Sequence, residues 1–368
     1  MCVMRHSNLP ILQRCGVLFS IIIVLLTATA CTGPVSKDGP IFFPNLPNPP
    51  RIQHLRSLSS LKDLGGGGGL AEFVLGKTAD EALVNKPYGV AMHKGKLYVV
   101  DTRGPGYVVL DLQKKTRTLI RGGSGGRMKK PINITIDKNG SKYITDTGRG
   151  QVLKFNVDDK FVRAYGVEGQ FKPGDVAIVE NKLYISDLRN HMIQVLDKKS
   201  GKLLFKMATP DQKEGVVQFP TNLAVYGKHL FISDTGNFKI TKYTLDGKYV
   251  HSLGEVGSGL GKFARPKGIA VDKQGHMYVV DSAFENVQIF NKKGKLMLFF
   301  GGAGDNPDSI NLPTDIYLDY DNVKYFQDYV EPGFKLEYII IVASQFGVNK
   351  INIFGYGKMA GMDYSAQK

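Results

Sequence analysis

The sequence predicts an all-β fold, a six-bladed β-propeller, from three observations. An apolar run that follows a proline recurs at spacings of 42 to 47 residues, and a period in the forties is typical of propeller blades. Each copy contains about four short β-forming runs, without the 3.6-residue periodicity of helices. The six copies begin at Pro87, Pro131, Pro173, Pro220, Pro266 and Pro313.

Four strands are expected in every copy, and the fourth copy shows them most clearly. They are NLAVY, HLFISD, ITKYTL and KYVHSL, with an Asp-Gly turn at 246–247 between the last two. In the first of these strands, Leu223 and Val225 flank the small residue Ala224. Because the innermost strands of a propeller converge on its axis, one of their faces has room only for small side chains.

The two ends of the chain are expected to share the sixth blade. The segment NKINIFGYG (349–357) supplies the third strand of that copy, and the C-terminal tail (358–368) supplies no fourth. The segment RIQHLRSLSS (51–60) resembles the fourth strands of the other copies. We therefore expect the N-terminal strand to close the last blade, which leaves the ring without a free inner edge.

The copies carry a family resemblance. The segment FARPKGIAVDKQGHMYVVDSAFENVQIFNKKGK (263–295) resembles an NHL repeat, and all six copies are similar to that family over residues 51–357. The resemblance implies a six-bladed propeller. It is less specific for function, since NHL propellers serve as binding platforms, as extracellular modules and occasionally as enzymes.

Residues 1–30 have the layout of an export signal. A basic segment with Arg5 and Arg14 precedes the apolar run VLFSIIIVLLTATA, and Cys31 follows it. The sequence LTATAC resembles a bacterial lipobox, which implies a lipoprotein signal peptide, an acylated (palmitate-bearing) Cys31 and a stable lipid anchor. The alternative is an ordinary secretory signal that leaves Cys31 as a free thiol. Fourteen apolar residues are too few for a permanent span, so we expect no transmembrane helix in the mature chain.

Residues 31–50 are rich in proline and lack periodicity, which predicts a semi-extended tether between the lipid and the propeller. Thr32, rather than Asp, follows Cys31. By resemblance to Gram-negative lipoproteins, this implies sorting to the outer membrane.

An Asp ends the second β-run of each of the first five copies. Such a residue is expected to accept backbone N–H bonds in the turn that follows and to hold a neighbouring loop. Five equivalent positions around a ring do not form one active site, so their role is interpreted as structural. These residues are Asp101, Asp146, Asp187, Asp234 and Asp281.

The net charge of +15 favours an anionic partner. The loops between copies and the loops after each repeat Asp are expected to share one face, here called the upper face. Its basic residues are concentrated over the first three blades. Two explanations stay open, docking of an anionic macromolecule and an ordinary solvated surface. Nucleic acid fits poorly with an exported chain. The basic residues are Arg103, Arg121, Arg127, Lys129, Lys130, Arg149, Arg189, Lys239, Arg265 and Lys267.

The residue two positions after each Pro is expected at the mouth of the central channel. Four of these six residues bear oxygen, and such a ring can bind a hard cation such as Ca²⁺, as in the lactonase-like propellers that it resembles. The alternative is that Asn and Asp favour the turn into a strand and hydrate the channel. No other cofactor is expected. The four residues are Asn133, Asp175, Asn222 and Asp315.

An aromatic and acidic insertion at 319–338 distinguishes the last copy, and it either anchors a partner or covers one end of the ring. The sequence as a whole favours a lipid-anchored, extracytoplasmic platform for a protein partner. Resemblance to lipoproteins of bacteria rich in multihaem cytochromes associates it with an envelope electron-transfer complex. The competing hypothesis is a metal-dependent lyase or lactonase-like enzyme at the channel mouth.

Overall fold

The structure, a computed structural model, describes residues 39–65 and 81–365. From Pro40 onward the chain forms one compact unit made of six antiparallel sheets. This confirms the predicted all-β, six-bladed propeller. The predicted signal peptide (1–30) and Cys31 lie outside the described residues, so their roles stay predictions.

Two strands and one short 3-10 helix precede the first complete blade. The strands are β1 (Phe42–Phe43) and β2 (Ile52–Leu58), and the helix is Leu61–Leu64. Blade one contains β3 (Pro87–His93), β4 (Lys96–Asp101), β5 (Gly106–Asp111) and β6 (Thr116–Ile120). Blade two contains β7 (Pro131–Ile136), β8 (Lys142–Asp146), β9 (Gln151–Phe155) and β10 (Phe161–Tyr165). Blade three contains β11 (Pro173–Val179), β12 (Lys182–Asp187), β13 (Met192–Asp197) and β14 (Leu203–Met207).

Each of the next two copies also forms a four-stranded sheet in chain order. Blade four contains β15 (Pro220–Tyr226), β16 (His229–Asp234), β17 (Lys239–Thr244) and β18 (Tyr249–Leu253). Blade five contains β19 (Pro266–Val271), β20 (Met277–Asp281), β21 (Asn286–Phe290) and β22 (Leu296–Phe300). The last copy supplies β23 (Pro313–Asp319), the 3-10 helix Val323–Tyr329, β24 (Phe334–Ser344) and β25 (Ile351–Met359).

The sixth blade joins the two ends of the chain. Its strand order is β23, β24, β25, β2 and β1, and β2 pairs with β25 from Ile52 opposite Tyr356 to Leu58 opposite Ile351. The closure of the last blade by the N-terminal strand is therefore confirmed. Because the first strands of successive blades also contact one another in a closed cycle, the ring has no free inner edge.

The end of the predicted tether belongs to the propeller rather than to a free linker. Phe42 pairs with Gln53, which makes β1 a fifth strand of blade six. Ile41 and Phe42 are buried, because removing their apolar surface from water lowers the free energy of the folded state. The beginning of the predicted tail (358–368) is also folded, since the Tyr364 hydroxyl donates a 2.8 Å hydrogen bond to the carbonyl of Pro50.

Six apolar clusters separate the six blades, one at each interface. The cluster between blades six and one shows the pattern: Leu97 and Val99 of β4 pack with Ile339 and Ile341 of β24. Every blade thus buries both of its faces, which explains why the inner strands are apolar on both sides. Most of the hydrophobic stabilisation lies between blades.

The insertion in the last copy lies on the face opposite the upper face, where it contacts blades six and one. Its Phe326 is buried in the cluster between blades six and one. The backbone carbonyl of Tyr329 accepts a 3.0 Å hydrogen bond from Gln53 of β2. These contacts support the covering role. In the described part of the chain, no helix has the length and apolar character needed to cross a membrane.

Candidate functional site

The proline and the Asp of each copy face one another at the upper edge of the blade. Pro131 pairs with Asp146 and Pro220 pairs with Asp234 across the first two strands. The same register recurs in the other blades, although Ser344 replaces the Asp opposite Pro313. The upper face therefore begins at an equivalent position in every blade.

The Asp of each copy organises the loops of the upper face. Asp146 is completely buried. Its carboxylate accepts backbone N–H bonds from Lys129 (2.7 Å), Lys130 (2.9 Å), Gly148 (3.0 Å) and Arg149 (2.9 Å). One carboxylate thereby fixes the backbone of three basic residues of this face.

Asp101 has the same arrangement in blade one. It accepts N–H bonds from the backbone of Asn85, Lys86, Arg103 and Gly104. Burial opposes ionisation, but the four backbone donors outweigh it and lower the pKa of Asp101. Equivalent backbone contacts to the loop between blades and to the following turn hold Asp187 and Asp281. Asp234 accepts from the backbone of the loop between blades and, in the following turn, from the side-chain amide of Asn237.

The predicted basic residues lie on this face, and most of them are exposed. Arg149 is half-buried and donates from Nε to Gln151 (3.0 Å) and from Nη1 to the carbonyl of Gly125 (2.9 Å). Lys129 forms an exposed ion pair of 2.6 Å with Glu168. In the described part of the chain, the remaining predicted residues have no acidic partner. The exposed ones are Arg103, Arg121, Arg127, Lys130, Arg189, Lys239 and Arg265, and Lys267 is buried.

Sequence reasoning missed an apolar component of the same face. Six large apolar side chains on the loops of this face are between 40% and 63% exposed. Val167 lies between blades two and three, near the basic patch, whereas the other five lie on loops from the end of blade three to blade six. Exposed apolar and basic side chains on one face are found together in protein interfaces. The signal available in the sequence was the presence of apolar residues within the loops between blades. The six are Val167, Phe219, Val256, Leu260, Phe346 and Val348.

The four predicted channel-mouth residues are all buried, and they bond mainly to the backbone. Asp175 accepts from the backbone N–H of Val176 (2.7 Å) and of Leu223 in the next blade (2.8 Å). Among the residues that the structure describes, Asn133 accepts only from the backbone N–H of its neighbour Ile134 (2.9 Å). These two side chains thus close the turns into the first strands.

Asp315 and Asn222 are brought together by the ring. The Asp315 carboxyl accepts from the backbone N–H of Val90 in blade one (3.0 Å) and from Nδ2 of Asn222 in blade four (3.2 Å). Burial raises the pKa of Asp315 well above its usual range, and the charge of Asp175 adds to the effect. Burial also raises the pKa of Asp175, to about 7. At neutral pH the channel mouth thus favours the neutral form of Asp315, and Asp175 is close to its midpoint of ionisation.

Below these side chains lies a cavity of about 280 Å³, lined largely by apolar residues of the first strands such as Ile134, Val176 and Ile269. The described residues contain no group of three or more His, Cys, Asp or Glu side chains placed to hold a metal ion. Calcium binding by Asn133, Asp175, Asn222 and Asp315 stays a prediction.

The chain is similar to proteins with NHL repeats. Protein brain tumor of Drosophila melanogaster is 29% identical over 143 residues, which are 37% of this chain and 13% of that protein. Human NHL repeat-containing protein 3 is 26% identical over 182 residues, which are 43% of this chain and 51% of that protein. These relatives and the six blades support an NHL propeller. No family model matches the chain.

The chain spans about half or less of the length of these curated relatives, so their activities as whole proteins do not transfer directly. A gluconolactonase of Xanthomonas campestris has a similar fold, with a TM-score of 0.56 and 14% identity over 88% of this chain and 96% of that one. At this identity the likeness concerns the fold alone.

Proposed function

We propose that this NHL propeller is a lipid-anchored, extracytoplasmic platform that binds a protein partner of the cell envelope through its upper face. The observation that carries the proposal is the presence, on one face, of exposed apolar side chains and of exposed basic side chains that have no acidic partner within residues 39–65 and 81–365. The channel mouth is not the basis of the proposal, because its two carboxyl groups, Asp315 and Asp175, are buried and bond to the backbone of neighbouring blades.

The two components of this face have separate roles in binding. Desolvation of side chains such as Phe219 and Phe346 supplies affinity, because apolar and aromatic anchors dominate interface energetics. The cations of the same face attract an anionic partner and orient it, which mainly raises the association rate and the salt dependence. The repeat Asp residues fix the backbone beneath both components, so the platform is rigid before the partner arrives.

The location rests on the sequence of the first 50 residues. An acylated Cys31 would stand nine residues before Pro40, where the compact unit begins. So short a tether keeps the propeller close to the membrane surface, and a partner would be an envelope protein. An electron-transfer complex with multihaem cytochromes is supported only by the resemblance to lipoproteins of that kind.

The docking face can be tested by site-specific photo-cross-linking in intact cells of the source organism. The cross-linking residue benzoylphenylalanine replaces Val167 or Phe346 on the upper face, and Val157 on the opposite face is the control with similar exposure. We expect one recurrent cross-linked protein from both upper positions and none from position 157. Equal cross-linking from position 157 would refute docking by the upper face.

The anchor requires an independent test. Metabolic labelling with an alkyne analogue of palmitate should label the wild type and the Cys15→Ser variant, but not the Cys31→Ser variant. Labelling that survives Cys31→Ser would show that the anchor has been assigned to the wrong residue.

A further inference from the structure

Lys267 is an unusual member of the upper face, because its charge is buried. It follows Pro266 at the start of β19, and only 9% of the residue is exposed. Its Nζ donates a 2.7 Å hydrogen bond to the hydroxyl of Tyr88 and lies 4.7 Å from the centre of that ring. Among the described residues, no carboxylate forms an ion pair with it. A buried ammonium normally has a counter-ion, because desolvation of an unpaired charge is costly.

Tyr88 occupies the matching position in blade one, directly after Pro87, so the pair reaches across the start of blade six. The Thr314 hydroxyl of blade six donates a 3.0 Å hydrogen bond to the backbone carbonyl of Tyr88, which helps to fix the position of the ring. When Lys267 donates to the Tyr88 oxygen, the phenolic proton has no acceptor among the described residues. The pair therefore keeps one O–H and two N–H donors for a ligand.

The surroundings of this pair are positive rather than neutral. Burial, together with the charges of Arg265 and Lys86, lowers the pKa of Lys267 to about 8. The nearest acids do not compensate, because burial keeps Asp315 and much of Asp175 protonated at neutral pH. Burial and the carboxyl of Asp315 raise the pKa of Tyr88, which therefore remains a donor.

We propose that Lys267, Tyr88 and Arg265, with Lys86 at the rim, form an oxyanion-binding site over the mouth of the channel. The ligand is a small molecule that presents a carboxylate or a phosphate group. The Lys267 ammonium and the Tyr88 hydroxyl bind the anionic oxygens directly, and the exposed Arg265 adds a planar fork that matches either group. This site is distinct from the basic patch over blades one to three, and it does not depend on a protein partner.

The test is isothermal titration calorimetry on the full chain at pH 7, with inorganic phosphate and with malonate as probes. We expect one site per chain for at least one probe, and the preferred probe identifies the ligand as phosphate-bearing or carboxylate-bearing. Lys267→Met should weaken binding at least tenfold, because it removes the charge and both free donors. Tyr88→Phe should weaken it by about three- to tenfold, because it removes one hydroxyl and keeps the ring.

The matched control is Lys239→Met, which removes an exposed cation of the same face and should change the affinity less than twofold. Thermal unfolding of Tyr88→Phe guards against misfolding, since that variant preserves the packing of the ring. If the wild type binds neither phosphate nor malonate, the proposal is overturned. So would an equal loss of affinity in Lys267→Met and Lys239→Met, which would indicate diffuse surface charge. The experiment contains no partner protein, so its failure and failure of the docking proposal are distinguishable.

Discussion

Asn222 of blade four donates a 3.2 Å hydrogen bond to the carboxyl of Asp315 of blade six, past the intervening blade five. Blade five has Gly268 at the equivalent position, where a Cβ would lie 2.6 Å from the Cα of Asp315. The glycine therefore allows the close approach of blade six. The Asn222 side-chain oxygen has no hydrogen-bond partner among the described residues, so this buried contact is polar without being fully satisfied.

The buried carboxyl of Asp175 should make stability depend on pH. Its pKa is about 7 in the folded protein against an ordinary value of 3.8. The folded state therefore holds the proton more tightly, and the stability that this proton confers is lost as the pH rises from about 4 through 7. Asp175→Asn has no charge at any pH. We expect its destabilisation, measured by urea unfolding, to be smaller at pH 8 than at pH 5 by roughly 1–4 kcal/mol.

The control for this measurement is Asp158→Asn, an exposed residue, which should give the same small effect at both pH values. A destabilisation by Asp175→Asn that is equal at pH 5 and pH 8, or larger at pH 8, would show that the carboxyl ionises normally.

The repeat Asp residues should contribute to stability by holding loops. Asp146→Ala leaves four backbone N–H groups without their acceptor, and we expect a loss of about 2–4 kcal/mol in the free energy of unfolding. Asp158→Ala, on the surface of the same blade, should cost less than about 0.5 kcal/mol. Equal unfolding midpoints for the two variants in a urea titration would contradict the assigned role.

If β2 closes blade six, its buried side chains should contribute to the free energy of unfolding. Leu58 of β2 is 1% exposed and packs in the cluster between blades six and one. Leu58→Ala should cost about 2–5 kcal/mol in the free energy of unfolding. Leu204→Ala changes an exposed leucine of β14 and should be nearly neutral. If residue 58 tolerates alanine as well as residue 204 does, β2 does not close the ring in solution.

Oxyanion binding at Lys267 should weaken as the pH rises. The ammonium has a pKa of about 8, lowered by burial and by Arg265 and Lys86, and a bound anion favours its charged form. Binding then takes up protons, so affinity is greatest below pH 8 and falls above it. Titrations of the preferred probe at pH 7 and pH 9.5 should differ by about tenfold or more. An unchanged affinity would mean that Lys267 does not hold the anion, since burial raises the pKa of Tyr88 and its hydroxyl keeps its proton over this range.

The sequence predicted the ring because its determinants recur. The spacing of the prolines fixed the number of blades, and the likeness of residues 51–60 to the outer strands of the other copies predicted the closure. It did not reveal β1, since a two-residue strand at Phe42–Phe43 is too short to show periodicity within a proline-rich segment.

The candidate sites were only partly predictable. The basic residues of the upper face followed from the loop order alone. The contact between Tyr88 and Lys267 did not, because the two residues are 179 positions apart and meet only through the curvature of the ring. The burial of Asp175 and Asp315 was missed for the same reason: their surroundings come from other blades.

The most direct test of the platform is the yield of the partner cross-linked from position 346 in two triple variants of equal charge change. In one variant the charges of Arg103, Arg127 and Lys130 on the upper face are reversed by substitution with Glu. In the other, the same substitution reverses the charges of the exposed lysines Lys138, Lys160 and Lys199 on the opposite face. We expect the yield to fall about tenfold in the first variant and less than twofold in the second. Equal yields in the two variants would contradict docking of a partner through the basic upper face.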